Sequence, residues 1–310
     1  MAWLTLVIPG SAAAEPSLRP EDLVRLPALD PVRALESFVV RPGLRVEVAA
    51  AEPEVVDPVA LSFDEEGRAY VVEMRDYSER RPERLGRVRL LEDRDADGRF
   101  ETSGVFLEGL PWPTAVACWD GGVFVGATPD LWYAKDTDGD GRADVREVVF
   151  TGFASQFAPY ATNQLNVQAM LNALQWGPDC RMHGSGSLSG GRVGVVDSPF
   201  TRAWRARWGA EGGAPEPVDL RGGDFSFDPR TLELRREAGG GQHGMSFDAT
   251  GRKFLCSNSD HLQWVRFTDR PLVRMGGGDL PLPRVSIAVD GPAAEVFRIS
   301  PEEPWRQDRR

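Results

Sequence analysis

An aromatic residue, an acidic turn, a glycine and then an apolar run recur along this 310-residue chain, and no other feature limits its folding as tightly. The copies read F-D-E-E-G-R-A-Y-V-V from Phe63, W-D-G-G-V-F-V-G from Trp119, W-G-P-D-C-R-M-H-G from Trp176 and F-D-A-T-G-R-K-F-L-C from Phe247. Successive copies lie 56, 57 and 71 residues apart. A hairpin returning at that interval is what the blades of a β-propeller produce, and a β-sandwich that reuses the same turn is the alternative. The 33 glycines and 24 prolines are spread along the chain and keep apolar runs short, which favours strands over long helices. Further strand-like pieces are L-R-V-E-V-A-A (44–50), R-V-R-L-L-E (87–92), R-V-G-V-V-D (192–197) and A-E-V-F-R-I (294–299). The exception is 162–175, T-N-Q-L-N-V-Q-A-M-L-N-A-L-Q, where a helix or helical turn is expected. The expected fold class is therefore all-β.

The segment Asp136 to Glu147, D-T-D-G-D-G-R-A-D-V-R-E, spaces oxygen ligands as a calcium loop does. Asp136, Asp138 and Asp140 take positions one, three and five. Gly141 supplies the turn at six and Arg142 a carbonyl at seven, with Asp144 at nine and Glu147 at twelve. So many carboxylates in one turn repel one another unless a cation joins them, so Ca2+ is expected here; an acidic solvated turn is the alternative. Asp93, Asp95, Asp97 and Gly98 repeat the spacing upstream with Glu101 at nine, but Gly104 stands at twelve, so this second site is expected to be the weaker. The flanks of both loops are rich in Val, Leu, Phe and Tyr, which is strand composition, so these are calcium-loop-like turns between strands and not EF-hands.

With 36 basic and 47 acidic residues the formal charge is −11, and no basic run marks a nucleic-acid partner. Residues 1–14 end in small residues after an apolar run and read as a partial secretory signal without its basic start, so the protein is expected in the periplasm or otherwise exported; a plain apolar tail is the alternative. No later stretch reaches the ~18 apolar residues of a membrane span. Cys118, Cys180 and Cys256 lack C-x-x-C or C-x-x-C-H spacing, which excludes a cysteine zinc site and a covalent haem site. Each is expected to fill a small core position in a strand, with one disulfide among them possible in an exported protein.

The run from Phe38 to Tyr77, together with L-L-E-D-R-D-A-D-G-R-F, the calcium-like loop, W-G-P-D, G-G-D-F-S-F-D-P, G-Q-H-G-M-S-F-D and C-S-N-S-D-H, resembles the propeller domain of the PVC-type membrane-bound dehydrogenase family. The resemblance covers roughly residues 38 to 304. Those propellers are similar in architecture to soluble quinoprotein sugar dehydrogenases, six-bladed proteins that use PQQ with Ca2+. The resemblance thus implies a propeller over 38–310 after an extension at 15–37. It also implies oxidation of a sugar or alcohol with PQQ, and electrons leaving to a separate haem protein. About four blade-like repeats are present where the family plan needs about six, so the domain is expected to be incomplete at its C-terminus, or its ring to be completed by another chain.

Only three histidines occur, so a neutral-pH base is one of them or a tuned carboxylate. His243 in G-G-G-Q-H-G-M-S-F-D is the first candidate, because a glycine-rich approach lets a ligand near the backbone; in the quinoprotein mechanism it would take the substrate hydroxyl proton. The alternative is a His that bonds a neighbouring loop. Asn258 and His261, with Asp260, gather polar groups at a strand end, as a pocket or as a self-satisfied turn. Arg252 and Arg221 suit a cofactor carboxylate, although surface ion pairs are the commoner fate. His183 is expected to be structural or exposed. Asp224 and Asp228 alternate with Phe225 and Phe227, which reads as a strand with its polar side outward. Trp112, Trp119, Trp132 and Trp176 are expected to pack between blades, with one near the channel able to stack on a sugar. A noncatalytic, calcium-stabilised propeller that binds carbohydrate or a protein partner is the rival to the enzyme.

Overall fold

The computed structural model describes residues 29–77, 80–155, 165, 170–187, 190–268, 283–289 and 291–292. The expected leader at 1–14, the start of the extension, residues 162–164 and 166–169 of the expected helix, and the 294–299 segment lie outside them. The chain divides into two compact units, Met1–Val46 with Glu295–Arg310, and Glu47–Ala294. The first contains α1 (Pro31–Glu36), whose N-cap Asp30 accepts the Arg33 N–H at 3.0 Å.

The second unit is built from antiparallel sheets. The first is a meander of β1 (Pro58–Phe63), β2 (Ala69–Glu73), β3 (Gly86–Glu92) and β4 (Thr102–Leu110). The second begins β5 (Ala115–Trp119), β6 (Gly122–Ala127), β7 (Asp130–Lys135) and β8 (Val145–Phe153). The third starts with β9 (Asn172–Trp176) and β10 (Met182–Ser185). It is then interrupted by β11 (Gly191–Val195), α2 (Pro199–Arg207) and β12 (Val218–Asp219), and completed by β13 (Asp224–Phe227) and β14 (Leu234–Glu237). The inserted pair β11–β12 joins the outer edge of the second sheet, giving the order β12-β11-β8-β7-β6-β5. The fourth sheet is β15 (His243–Phe247), β16 (Lys253–Ser257), β17 (Asp260–Val265) and β18 (Arg284–Ser286).

The first strands of the sheets lie side by side, β1 by β5, β5 by β9 and β9 by β15, which is the blade arrangement of a β-propeller. Each sequence repeat marks the first hairpin of one sheet. The reason is local: Asp64 Oδ1 accepts the N–H groups of Glu66 and Arg68, and Gly67 takes φ +81°. Asp248 repeats this with Thr250 and Arg252 around Gly251 at φ +80°. The motif aromatics then touch the neighbouring sheet. Trp119 meets Trp176 at 5.3 Å between ring centroids, and Phe247 meets His183 at 5.1 Å. The long third interval is explained by the β11–α2–β12 insertion.

Several expectations need correction. Residues 172–175 are strand, because β9 pairs with β10 from Trp176↔Met182 to Asn172↔Ser185. Residues 44–50 form no strand; Ala50 instead packs with Val55 over the first sheet, and Ala49 O accepts the Phe100 N–H at 3.0 Å. Asp224 and Ser226 do not face water. Both are fully buried, since β13 has a sheet on each side: Phe225 and Phe227 face the second sheet, and Asp224 pairs with Lys253 of the fourth at 2.6 Å. All three cysteines are free. Cys118 and Cys256 are half-buried in β5 and β16, but Cys180 is exposed in the β9–β10 turn.

Burial pushes the Cys118 thiol up to about 11, so it stays protonated at neutral pH. Alkylation by iodoacetamide at pH 7.5, mapped by peptide mass, is therefore expected to modify Cys180 well before Cys118; equal labelling of both would contradict the burial of β5.

Candidate functional site

The β15 strand opens with a bulge, because pairing with β16 shifts register between His243 and Met245, and Gly244 takes φ +67°. A bulge re-aims the residue beside it, and His243 is exposed where the first strands converge. A cavity of about 530 Å³ lies there. Val59 and Ala60 of β1 line it with Met74 and Tyr77 after β2, Thr114 before β5, Asn172 and Ala173 of β9, His243 and Gly244 of β15, and Asn258 in the β16–β17 turn.

The polar atoms around this cavity divide by what they already bond. Thr114 Oγ1 donates to Leu171 O. Asn172 Nδ2 donates to Met170 O at 3.0 Å and Gln242 O at 2.9 Å, while its Oδ1 accepts the Gly244 N–H at 3.1 Å. Gln242 Oε1 in turn accepts the Asn258 N–H at 3.2 Å. The phenol of Tyr77, the imidazole of His243 and the amide of Asn258 are the polar ends offered to a ligand, on a wall that is otherwise largely apolar.

The structure brings His243 and Asn258 to this cavity together. His261 is exposed on β17 and is not among its lining residues. Arg252 sits in the turn before β16, where its Nε donates to Asp248 Oδ2 at 2.6 Å, as Arg68 Nε does to Asp64 at 2.7 Å in the first sheet. The turn thus accounts for Arg252 by a repeated structural contact. Arg221 pairs in the same way with Asp219 at 2.6 Å. His183 is buried on β10, with Nε2 2.9 Å from Asp179 Oδ1. Burial pulls the Asp179 carboxyl upward, yet the hydrogen bonds from His183 and the Arg181 N–H hold it below the usual carboxylate range.

Sequence reasoning missed Asn172 and Tyr77. The D-Y pair after β2 carried no pattern, and Asn172 fell within the expected helix.

Both acidic turns occupy equivalent places, joining the third and fourth strands of the first and second sheets, β3 to β4 and β7 to β8. In the first, Asp93, Asp95, Asp97 and Glu101 bring ligand oxygens within 4.8 Å of one another; in the second, Asp136, Asp138 and Asp144 do so. Asp140 Oδ1 instead accepts the Arg142 N–H at 2.8 Å, and Glu147 lies in β8 opposite Tyr133. The turn that looked weaker in sequence thus gathers the larger group. Burial alone would raise the Asp136 carboxyl, but the N–H groups of Gly141, Gly139 and Asp138 hold it below the usual range. Hydrogen bonds from Thr137 hold Asp144 low in the same way. Every donor in the two clusters is a carboxylate oxygen, the set that a hard cation such as Ca2+ takes.

PQQ is a tricarboxylate, and carboxylates taken out of water call for cationic partners. The described lining residues of the central cavity include neither arginine nor lysine, so those residues offer the quinone's carboxylates no cationic partner. No helix among the described residues is long and apolar enough to cross a membrane.

A family model described as a domain of unknown function, DUF7133, matches residues 30–309. No curated protein matches the sequence. Among solved structures, the chain is similar to the PQQ domain of pyranose dehydrogenase from Coprinopsis cinerea, at 13% identity and a TM-score of 0.42, over 68% of this chain and 44% of that one. It is also similar to a Thermus thermophilus protein described as a putative oxidoreductase (glucose dehydrogenase), at 16% identity and a TM-score of 0.40, over 68% and 61%. A Trichoderma reesei carbohydrate-active enzyme of family AA12 matches at 14% identity and a TM-score of 0.37, over 67% and 45%. The match thus takes in less than two thirds of the length of each of these proteins.

Proposed function

This chain belongs to the family described as a domain of unknown function, DUF7133, and from that premise we propose that its propeller binds a neutral sugar or polyol in the cavity between its first strands, with Ca2+ stiffening the two acidic turns. The observation that carries this reading is the lining itself. It offers a phenol, an imidazole and a carboxamide on an apolar wall, without arginine, lysine or carboxylate among the described lining residues. Such a wall suits hydroxyl groups, which both donate and accept, and offers an organic anion no fixed positive charge.

A second reading is a dehydrogenase acting on a sugar or alcohol, and the exposure of His243 at this cavity favours it. In that role the imidazole would accept the proton of a substrate hydroxyl, with Asn258 orienting the alcohol oxygen. The hydride from carbon needs an acceptor, which PQQ supplies in quinoproteins when bound. The described lining residues offer PQQ no cationic partner, so no step is assigned to it. Export to the periplasm and passage of electrons to a separate haem protein belong to this oxidative reading and stand or fall with it.

The test pairs calorimetric titration with a dye-reduction assay. Ca2+ added to protein stripped with EDTA is expected to bind at the acidic turns, and glucose or sorbitol to bind saturably. His243→Ala should weaken sugar binding without abolishing Ca2+ binding. Absence of binding by either sugar would overturn the proposal, and dye reduction that requires both PQQ and a sugar would replace it with the dehydrogenase reading.

A further inference from the structure

The segment from Ala238 to Gly244 is glycine-rich, yet side chains from neighbouring strands fix its carbonyls one after another. Lys253 Nζ donates to Ala238 O at 3.0 Å, Arg284 Nη1 to Gly240 O at 2.6 Å and Ser185 Oγ to Gly241 O at 2.8 Å. Gln242 O accepts from both Asn172 Nδ2 at 2.9 Å and Ser187 Oγ at 3.1 Å. Asn172 differs from the others in gripping the backbone on both sides of one residue. Its Nδ2 holds the carbonyl of Gln242 and its Oδ1 holds the N–H of Gly244, so the residue between them, His243, is set by a two-point clamp. The clamp crosses between sheets, from β9 to β15, at the bulge where the ladder with β16 is shifted.

We propose that Asn172 is a positioning residue, fixing the imidazole of His243 toward the cavity by bridging its two flanking peptide groups. The inference deepens the binding reading above and rests on it for the ligand alone. Asn172 itself is nearly fully buried, at 9% exposure, and both ends of its amide are committed to backbone. It therefore acts through His243 and not on the ligand. Gly244 within the bulge and the glycine run 239–241 before it would otherwise leave the local backbone many conformations, of which few aim the ring inward. Holding the ring in the bound orientation beforehand spares that ordering cost when a ligand arrives.

Three histidines make the test direct, because His183 and His261 serve as internal references for His243. Imidazole NMR spectra of the full chain would be assigned with single His→Gln variants, then recorded for wild type, Asn172→Ala and Ser187→Ala. Asn172→Ala is expected to shift or broaden the His243 resonances while His183 and His261 stay in place. Ser187→Ala removes a bond to the same Gln242 carbonyl but leaves the Gly244 grip, so it should leave His243 unchanged. In parallel, the Kd for glucose or sorbitol should rise about tenfold in Asn172→Ala, equivalent to about 1.4 kcal/mol. An unmoved His243 signal, a shift of all three histidines together, or an equal effect from Ser187→Ala would each overturn the proposal. If wild type binds neither sugar, the binding reading fails by itself, and the NMR comparison still decides the role of Asn172.

Discussion

Lys253→Met is expected to destabilise the protein by about 3–5 kcal/mol, as removal of one member of a buried ion pair does. Asp224 is fully buried, Lys253 is 8% exposed, and the ammonium lies 2.6 Å from Asp224 Oδ2. The ammonium also donates to Ala238 O, and Ser185 Oγ lies 3.2 Å from Asp224 Oδ1. With lysine gone, a carboxylate held between two sheets must either stay charged out of water or take up a proton, and both cost free energy. At about 2–4 °C per kcal/mol for a unit of this size, the melting temperature should fall by roughly 6–20 °C. Removing both charges, as Asp224→Ala with Lys253→Met, should restore much of the loss, because the desolvation cost then disappears along with the attraction. Urea unfolding of the wild type, both single variants and the double variant measures the coupling. A single-variant loss below about 1 kcal/mol would mean that the pair is hydrated and not enclosed. Gly239 reports on the same enclosure, because a Cβ at that position would stand 1.9 Å from Asp224 Oδ2.

That ion pair shows where sequence reading stops. The alternation of Asp224, Phe225, Ser226 and Phe227 identifies a strand, and β13 is one. Alternation cannot tell whether the polar side meets water or a second sheet whose partner lysine stands far along the chain. The first and last blade hairpins were legible because their cause is local: Asp64 and Asp248 each accept two backbone N–H groups, and Gly67 and Gly251 supply positive φ. The strand read at 192–197 is β11, but its place was not legible, since β11 and β12 interrupt the third sheet and pair at the edge of the second. Around 171–175, Leu171 and Leu174 keep a helical spacing, but the ladder from β9 to β10 outweighs that weak local preference. At the candidate site, His243 and Asn258 were visible through the glycine-rich run and the turn chemistry beside them. Asn172 was hidden because its grip on Gly244 joins residues 72 positions apart. The acidic turns were legible as clusters, whereas the choice of which carboxylates converge depended on the strand boundaries, which place Glu147 inside β8.

Phe227→Ala should cost about 3–5 kcal/mol, the range for emptying a large aromatic site in a packed core. Phe227 is fully buried and meets Phe124 of β6 at 5.0 Å and Phe150 of β8 at 5.1 Å, so one ring from the third sheet fills the space between two strands of the second. Phe225 repeats the contact with Phe153 at 5.1 Å. These rings set how the second and third sheets stack, and the same stacking fixes the distance between β5 and β9, where Thr114 just before β5 and Asn172 at the start of β9 line the central cavity. Loss of Phe227 should therefore act in two places, lowering the unfolding midpoint in urea and weakening the proposed sugar binding, with the proposed Ca2+ binding at the turns of the outer hairpins left intact. Phe227→Leu separates the two contributions, because it keeps most of the apolar volume while losing the edge-on aromatic contacts, and should recover more than half of the stability. If Phe227→Ala unfolds at the wild-type urea concentration, the rings are not close-packed between the sheets, and the inter-sheet stacking on which the cavity depends would have to be sought elsewhere.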